Sequence, residues 1–126
     1  MGTRFVFGAG LLGGLARLEI TQLINYHQFP IATLLINLTG AFLLPIWTNY
    51  GCQRLGLSAR WNQVIGTGLI GSFTTFSGII LDSLKLLEVH NYSGFTLYLS
   101  FSIILGLLVA VVGDQFSHIL AKRMWN

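Results

Sequence analysis

Four membrane-spanning α-helices in one all-α domain, residues 1–126, are the fold the sequence predicts, and three observations predict it. Only 9% of the 126 residues are charged and 53% are hydrophobic, whereas an ordinary soluble domain carries roughly a quarter charged residues. The runs Ile31 to Tyr50, Val64 to Leu81 and Phe95 to Gly113 contain no Asp, Glu, Lys or Arg, and each is near the roughly 20 apolar residues that cross a bilayer as a helix. The breaks between segments, Asn25 to Pro30, Gly51 to Arg60 and Glu88 to Gly94, have no room for a soluble domain. Whatever the chain does happens inside the membrane or at its surfaces.

The first span is placed at about residues 4–25. Arg17 and Glu19 interrupt it, but apolar stretches flank them, and Gly8, Gly10, Gly13 and Gly14 suit close helix packing in lipid, where small residues let backbones approach. Arg4 followed by an apolar run ending in Gly14-Leu15-Ala16 also has the outline of a secretory signal. Three spans remain on that alternative. The second span, 31–50, carries Thr33, Asn37 and Thr39 at membrane depth, and the fourth, 95–120, carries Tyr98, Ser100 and Ser102.

The third span, 62–87, departs from the others. Its middle reads Gly66-Thr-Gly-Leu-Ile-Gly71-Ser72-Phe73-Thr74-Thr75-Phe76-Ser77-Gly78, with glycines and hydroxyls where lipid-facing helices carry Leu and Ile. Non-helical backbone at membrane depth is tolerated only where protein buries it or where it lines a polar cavity. A break between Gly71 and Ser77 therefore marks a functional site. Four spans make a thin bundle with little surface to enclose a polar path, so oligomerisation is expected.

Composition excludes several functions. The net charge of +3 is too scattered for nucleic acid and belongs to loops and termini. His27, His90 and His118 are dispersed, Glu19, Asp82, Glu88 and Asp114 form no close pair, and Cys52 stands alone. Metal-ligand spacings and catalytic constellations are absent, so no enzyme is expected. Gly66, Gly68 and Gly71 match a dinucleotide-binding spacing, but without a preceding strand the match is empty.

The polar groups at membrane depth are mostly uncharged. A path walled by hydroxyls, an amide and aromatic edges suits a small anion, because N–H and O–H groups donate and ring edges carry the positive end of the aromatic quadrupole. Each group also has a structural alternative: Asn37 as an interhelical hydrogen bonder, Ser and Thr as partners of backbone carbonyls, Phe73 and Phe76 as packing.

Gly71-Ser72-Phe73-Thr74-Thr75-Phe76-Ser77 closely resembles the signature of the Fluc (CrcB-type) fluoride channel family, usually written G-G-L-T-T-F-S-T-F. Ala16-Arg17, the stretch Thr33 to Gly40, and Tyr98 with Ser102 and Gly106 fall where that family's other motifs fall, so the resemblance covers nearly the whole chain. It implies an antiparallel, dual-topology-type dimer with two passive fluoride pathways along the subunit interface, exporting fluoride to limit its toxicity. It also implies a structural sodium ion on the two-fold axis, held by the main-chain carbonyls of Gly71 and Thr74. Asn37 would be the pathway amide, Phe76 a ring-edge contact, and Thr75, Ser77, Tyr98 and Ser102 a polar track, with Arg17 structural.

One departure matters. The family's second pathway phenylalanine, three residues after the first, is Ile79 here, and Gly78 replaces the usual threonine. Two rivals follow: a non-conducting structural subunit of a heterodimeric fluoride channel, and a four-helix cationic-drug/proton antiporter relying on Glu19. Orientation is legible too. Four spans put Arg4, Arg54, Arg60, Lys122 and Arg123 on one side and Lys85 on the other, five against one. This bias predicts a multi-pass cell-membrane protein with cytoplasmic termini, paired with itself or with an oppositely oriented homologue.

Overall fold

The computed structural model describes residues 2–24 and 29–126, and these are all-helical, with no strand among them. Helix α1 is Gly2–Leu23. Helix α2 runs over Ile31–Arg54 and contains a π-helical segment, Trp47–Gly51. Helix α3 consists of Ala59–Gln63, the π-helical Val64–Ile70 and Gly71–Phe73. Helix α4 is Phe76–Glu88 and α5 is Tyr92–Trp125. Part of the predicted Asn25 to Pro30 connection, including His27, lies outside the described residues.

Three stretches, Ile31–Arg54, Ala59–Glu88 and Tyr92–Trp125, are long and apolar enough to cross a membrane. Large apolar side chains such as Phe7, Leu12, Leu107 and Val112 face outward. Lipid is the solvent that makes such a surface stable. The chain is a multi-pass membrane protein. Helix α1 has 22 residues but stands outside the most apolar set, because Arg4, Arg17 and Glu19 lower its hydropathy.

Several helices extend beyond the expected spans, whereas α1 ends at Leu23. Predicted to end at Tyr50, α2 continues to Arg54 and closes in a Schellman motif: Gly56 takes φ +65°, its N–H donates to the Gln53 carbonyl, and the Leu57 N–H donates to the Cys52 carbonyl. That left-handed position favours glycine. His90, at φ +56°, closes α4 in the same pattern through Leu87 and Leu86. Asn91 then caps α5, its Oδ1 accepting the Gly94 N–H at 2.9 Å, so α5 begins before the predicted residue 95.

Packing pairs α1 with α3 and α2 with α5. Helix α1 comes close because Gly13 has no side chain; a Cβ there would run into the Leu69 carbonyl oxygen. Between α2 and α5, Phe42 stacks on Phe116 at 6.2 Å, and Asn49 Nδ2 donates to Asp114 Oδ1 at 2.9 Å and to Ser117 Oγ at 3.0 Å. Pro45 lies inside α2 and has no N–H for the helix ladder; the π-helical turn begins two residues later. These pairings hold α2 against the junction between α3 and α4.

Candidate functional site

Helix α3 ends at Phe73, and Thr74 and Thr75 leave helical geometry with ψ of 158° and 121° before α4 begins at Phe76. Two residues in extended backbone free peptide groups that a helix would pair. The sequence supplies local partners for some of them. Thr75 Oγ1 accepts the Gly78 N–H at 2.9 Å, capping α4, and shares a 3.2 Å hydrogen bond with Ser77 Oγ. Thr74 Oγ1 donates back to the Gly71 carbonyl at 3.1 Å. Gly78 fits beneath this cap, since a Cβ there would approach Thr75 Cγ2 to 2.6 Å.

Two more, both of Thr75, are met from α2. Asn37 Oδ1 accepts the Thr75 N–H at 2.8 Å, and Asn37 Nδ2 donates to the Thr75 carbonyl at 2.9 Å. This pair of hydrogen bonds fixes which way the amide points, because only one orientation offers an acceptor to the N–H and a donor to the carbonyl. Gly40, on the same face of α2 and buried, makes room for Thr74; a Cβ there would run into the Thr74 methyl.

A groove of about 310 Å³ opens beside this junction, lined by Asn37, Gly40, Thr74, Thr75, Phe76 and Ile79 among others, none of them charged. Phe76 is 78% exposed, so its ring leaves the protomer rather than filling its core. Ser77 is exposed beside it. Gly71 also borders the groove. The structure thus brings together Asn37, Gly71, Thr74, Thr75, Phe76, Ser77, Gly78 and Ile79.

Tyr98 and Ser102 lie apart from that groove. Tyr98 on α5 is 0% exposed, stacked edge-on against Phe29 at 5.7 Å, and its hydroxyl reaches Asp82 Oδ2 on α4 at 3.4 Å. The hydroxyls of Ser83 and Ser102 are buried without a partner among the described residues. Asp82 was read from sequence only as one of four dispersed acids. Nothing in a spacing of 16 residues across a connection signals its meeting with Tyr98. Arg17 stands on α1, half-exposed, its carbonyl accepting Thr21 Oγ1 at 2.8 Å. No group of three or more His, Cys, Asp or Glu converges among the described residues.

An apolar helical bundle in which Asn37 of α2 meets the extended junction between α3 and α4, beside an uncharged groove, defines a multi-pass membrane protein with a polar junction among its helices. The chain belongs to the CrcB-like family, described as "CrcB-like protein, Camphor Resistance (CrcB)", which matches residues 4–114. Among its relatives, Fluoride-specific ion channel FluC 1 of Bacillus cereus is 43% identical over 118 residues, covering 91% of this chain and 86% of the relative. Fluoride-specific ion channel FluC 2 of Bacillus thuringiensis subsp. konkukian is 44% identical, covering 87% and 92%. Fluoride-specific ion channel FluC 1 of Latilactobacillus sakei is 38% identical, covering 83% and 78%. These relatives are named as channels, not enzymes.

Proposed function

We propose that this chain is a subunit of a passive, fluoride-selective channel of the cell membrane that lets fluoride out and so limits its toxicity. The carrying observation is the junction at Thr74 and Thr75: held open by Asn37, free of charged groups and flanked by an outward Phe76, in a chain whose relatives are named fluoride channels. A dehydrated fluoride needs hydrogen-bond donors and positive ring edges in place of water. Asn37 commits its Oδ1 and one amide hydrogen to Thr75, which leaves a second hydrogen for an anion. Thr75 and Ser77 add hydroxyls at the groove, and Tyr98 and Ser102, which lie apart from it on α5, would form a separate polar stretch of the path.

On this reading α1 is the fourth span, α3 and α4 form one span interrupted at membrane depth, and two subunits pack antiparallel with Phe76 at their interface. The exposure of Phe76 and Gly71 supports an interface on this face. The Gly71 and Thr74 carbonyls of both subunits would hold a sodium ion. They fit a hard cation: no hydrogen bond from the described residues reaches the Thr74 carbonyl, and Gly71 has a second lone pair beyond the one Thr74 Oγ1 uses. Sodium would supply positive charge that offsets unpaired carbonyls in a low-dielectric setting.

Ile79 favours a second reading within the same family. It lines the groove where a ring is expected, so a homologous partner would complete one pathway. Two such channels, FluC 1 and FluC 2, are named in Bacillus thuringiensis subsp. konkukian. The cationic-drug antiporter gains no support, since Glu19 is exposed on α1 away from the groove.

The test is anion release from liposomes holding the purified chain, with its homologue if one is needed. Fluoride should leave down its gradient while chloride stays. Comparable chloride release, or fluoride movement that requires a proton gradient, contradicts the proposal.

A further inference from the structure

Besides the Ser83 and Ser102 hydroxyls, two polar atoms away from the groove are buried without a hydrogen-bond partner among the described residues: Trp47 Nε1 and Asn62 Oδ1. They flank Gly66. A Cβ built on Gly66 would lie 3.7 Å from Trp47 Cδ1, the ring carbon bonded to Nε1, and 3.9 Å from Asn62 Oδ1. The missing side chain of Gly66 therefore leaves a small niche walled by Leu44 Cδ1 at 3.5 Å from that Cβ position, by the Trp47 ring carbon that bears the donor nitrogen, and by the Asn62 acceptor. The indole is held there by its other edge, which lies on Gly51; a Cβ on Gly51 would come within 2.9 Å of Trp47 Cε3.

This niche sits where two irregular elements meet. Trp47 opens the π-helical segment of α2, Asn62 and Gly66 stand at the start of the π-helical segment of α3, and the two segments touch. Buried polar groups in native proteins are almost always paired, by protein or by ordered water. An indole N–H requires an acceptor and an amide oxygen requires a donor. One water satisfies both, whereas fluoride, which cannot donate, satisfies only the indole.

We propose that the niche at Gly66 binds a single water molecule, which accepts from Trp47 Nε1–H and donates to Asn62 Oδ1 and so ties α2 to α3. Trp47 lies ten residues beyond Asn37, about 15 Å along a helix at ~1.5 Å per residue. The tie thus helps set the crossing that brings Asn37 to Thr75. Trp47 and Asn62 are positioning residues on this account.

The experiment uses the full chain with Trp61→Phe and Trp125→Phe, which replaces the two outward tryptophans and leaves Trp47 as the single indole. In detergent micelles, the Trp47 indole proton should show a nuclear Overhauser cross-peak to a long-lived water. Adding Gly66→Ala should abolish that cross-peak and move the indole resonance upfield, although both polar groups remain. Absence of the cross-peak in the protein with an intact niche overturns the proposal, whether or not the Gly66 variant folds. So does a cross-peak unchanged by Gly66→Ala. An indole shift that titrates with added fluoride overturns it as well, because it means the amide presents its NH₂ and the niche takes an anion.

Discussion

A side-chain amide and a peptide group are complementary, each offering one N–H beside one carbonyl, and Asn37 uses that match on Thr75. An unpaired buried backbone group costs ~1–3 kcal/mol. Asn37→Ala, which strands two, should therefore lower the unfolding temperature more than Thr75→Ala, which removes a helix cap worth ~1 kcal/mol and an exposed hydrogen bond to Ser77 Oγ. Thermal unfolding of the two variants in one detergent checks the order. Asn37→Asp retains an acceptor for the Thr75 N–H but sets a carboxylate oxygen against the Thr75 carbonyl and a negative charge in the groove. Repulsion between that charge and an anion is strong away from water, so fluoride flux through that groove should be abolished, as read by a fluoride electrode. Asn37 and Phe76 were legible as polar and aromatic residues at membrane depth. That Asn37 would hydrogen-bond Thr75 in particular was not, because a contact across 38 residues leaves no periodic trace.

At the scale of elements, the glycine and hydroxyl run of the third span showed where helical geometry would fail, and the chain turns extended at Thr74 and Thr75 within it. The helix ends were less legible. Gly51 and the polar residues after it look like a loop, yet α2 continues because the Schellman turn at Gly56 satisfies its last carbonyls. Hydropathy also carried no sign of the π-helical segments. Close approach governs a further prediction. Gly40 admits the Thr74 methyl, so Gly40→Val should push α2 off the junction. The variant should lose fluoride flux and run as a less stable species in size-exclusion chromatography and thermal unfolding.

The whole subunit carries its charge unevenly. Arg60 on α3 lies against Gly2 at the start of α1, Phe5 packs on Trp61, and Asn49 near the end of α2 meets the C-terminal half of α5. Both termini and the α2–α3 connection thus share the end that holds Arg4, Arg54, Arg60, Lys122 and Arg123, and a reporter fused to the C-terminus should signal from the cytoplasm alone. If that reporter signals from one side only, the antiparallel pairing proposed above requires an oppositely oriented homologue; signal from both sides means that the chain pairs with itself. Ile79→Phe then becomes informative: if the chain alone conducts poorly for want of a ring, this substitution should raise its fluoride flux several-fold. If fluoride passes the groove framed by Asn37 and Phe76, Phe76→Ile should largely abolish fluoride efflux from liposomes holding the conducting assembly, while the assembly keeps its size and stability; unchanged efflux from an intact Phe76→Ile assembly means that fluoride takes another path.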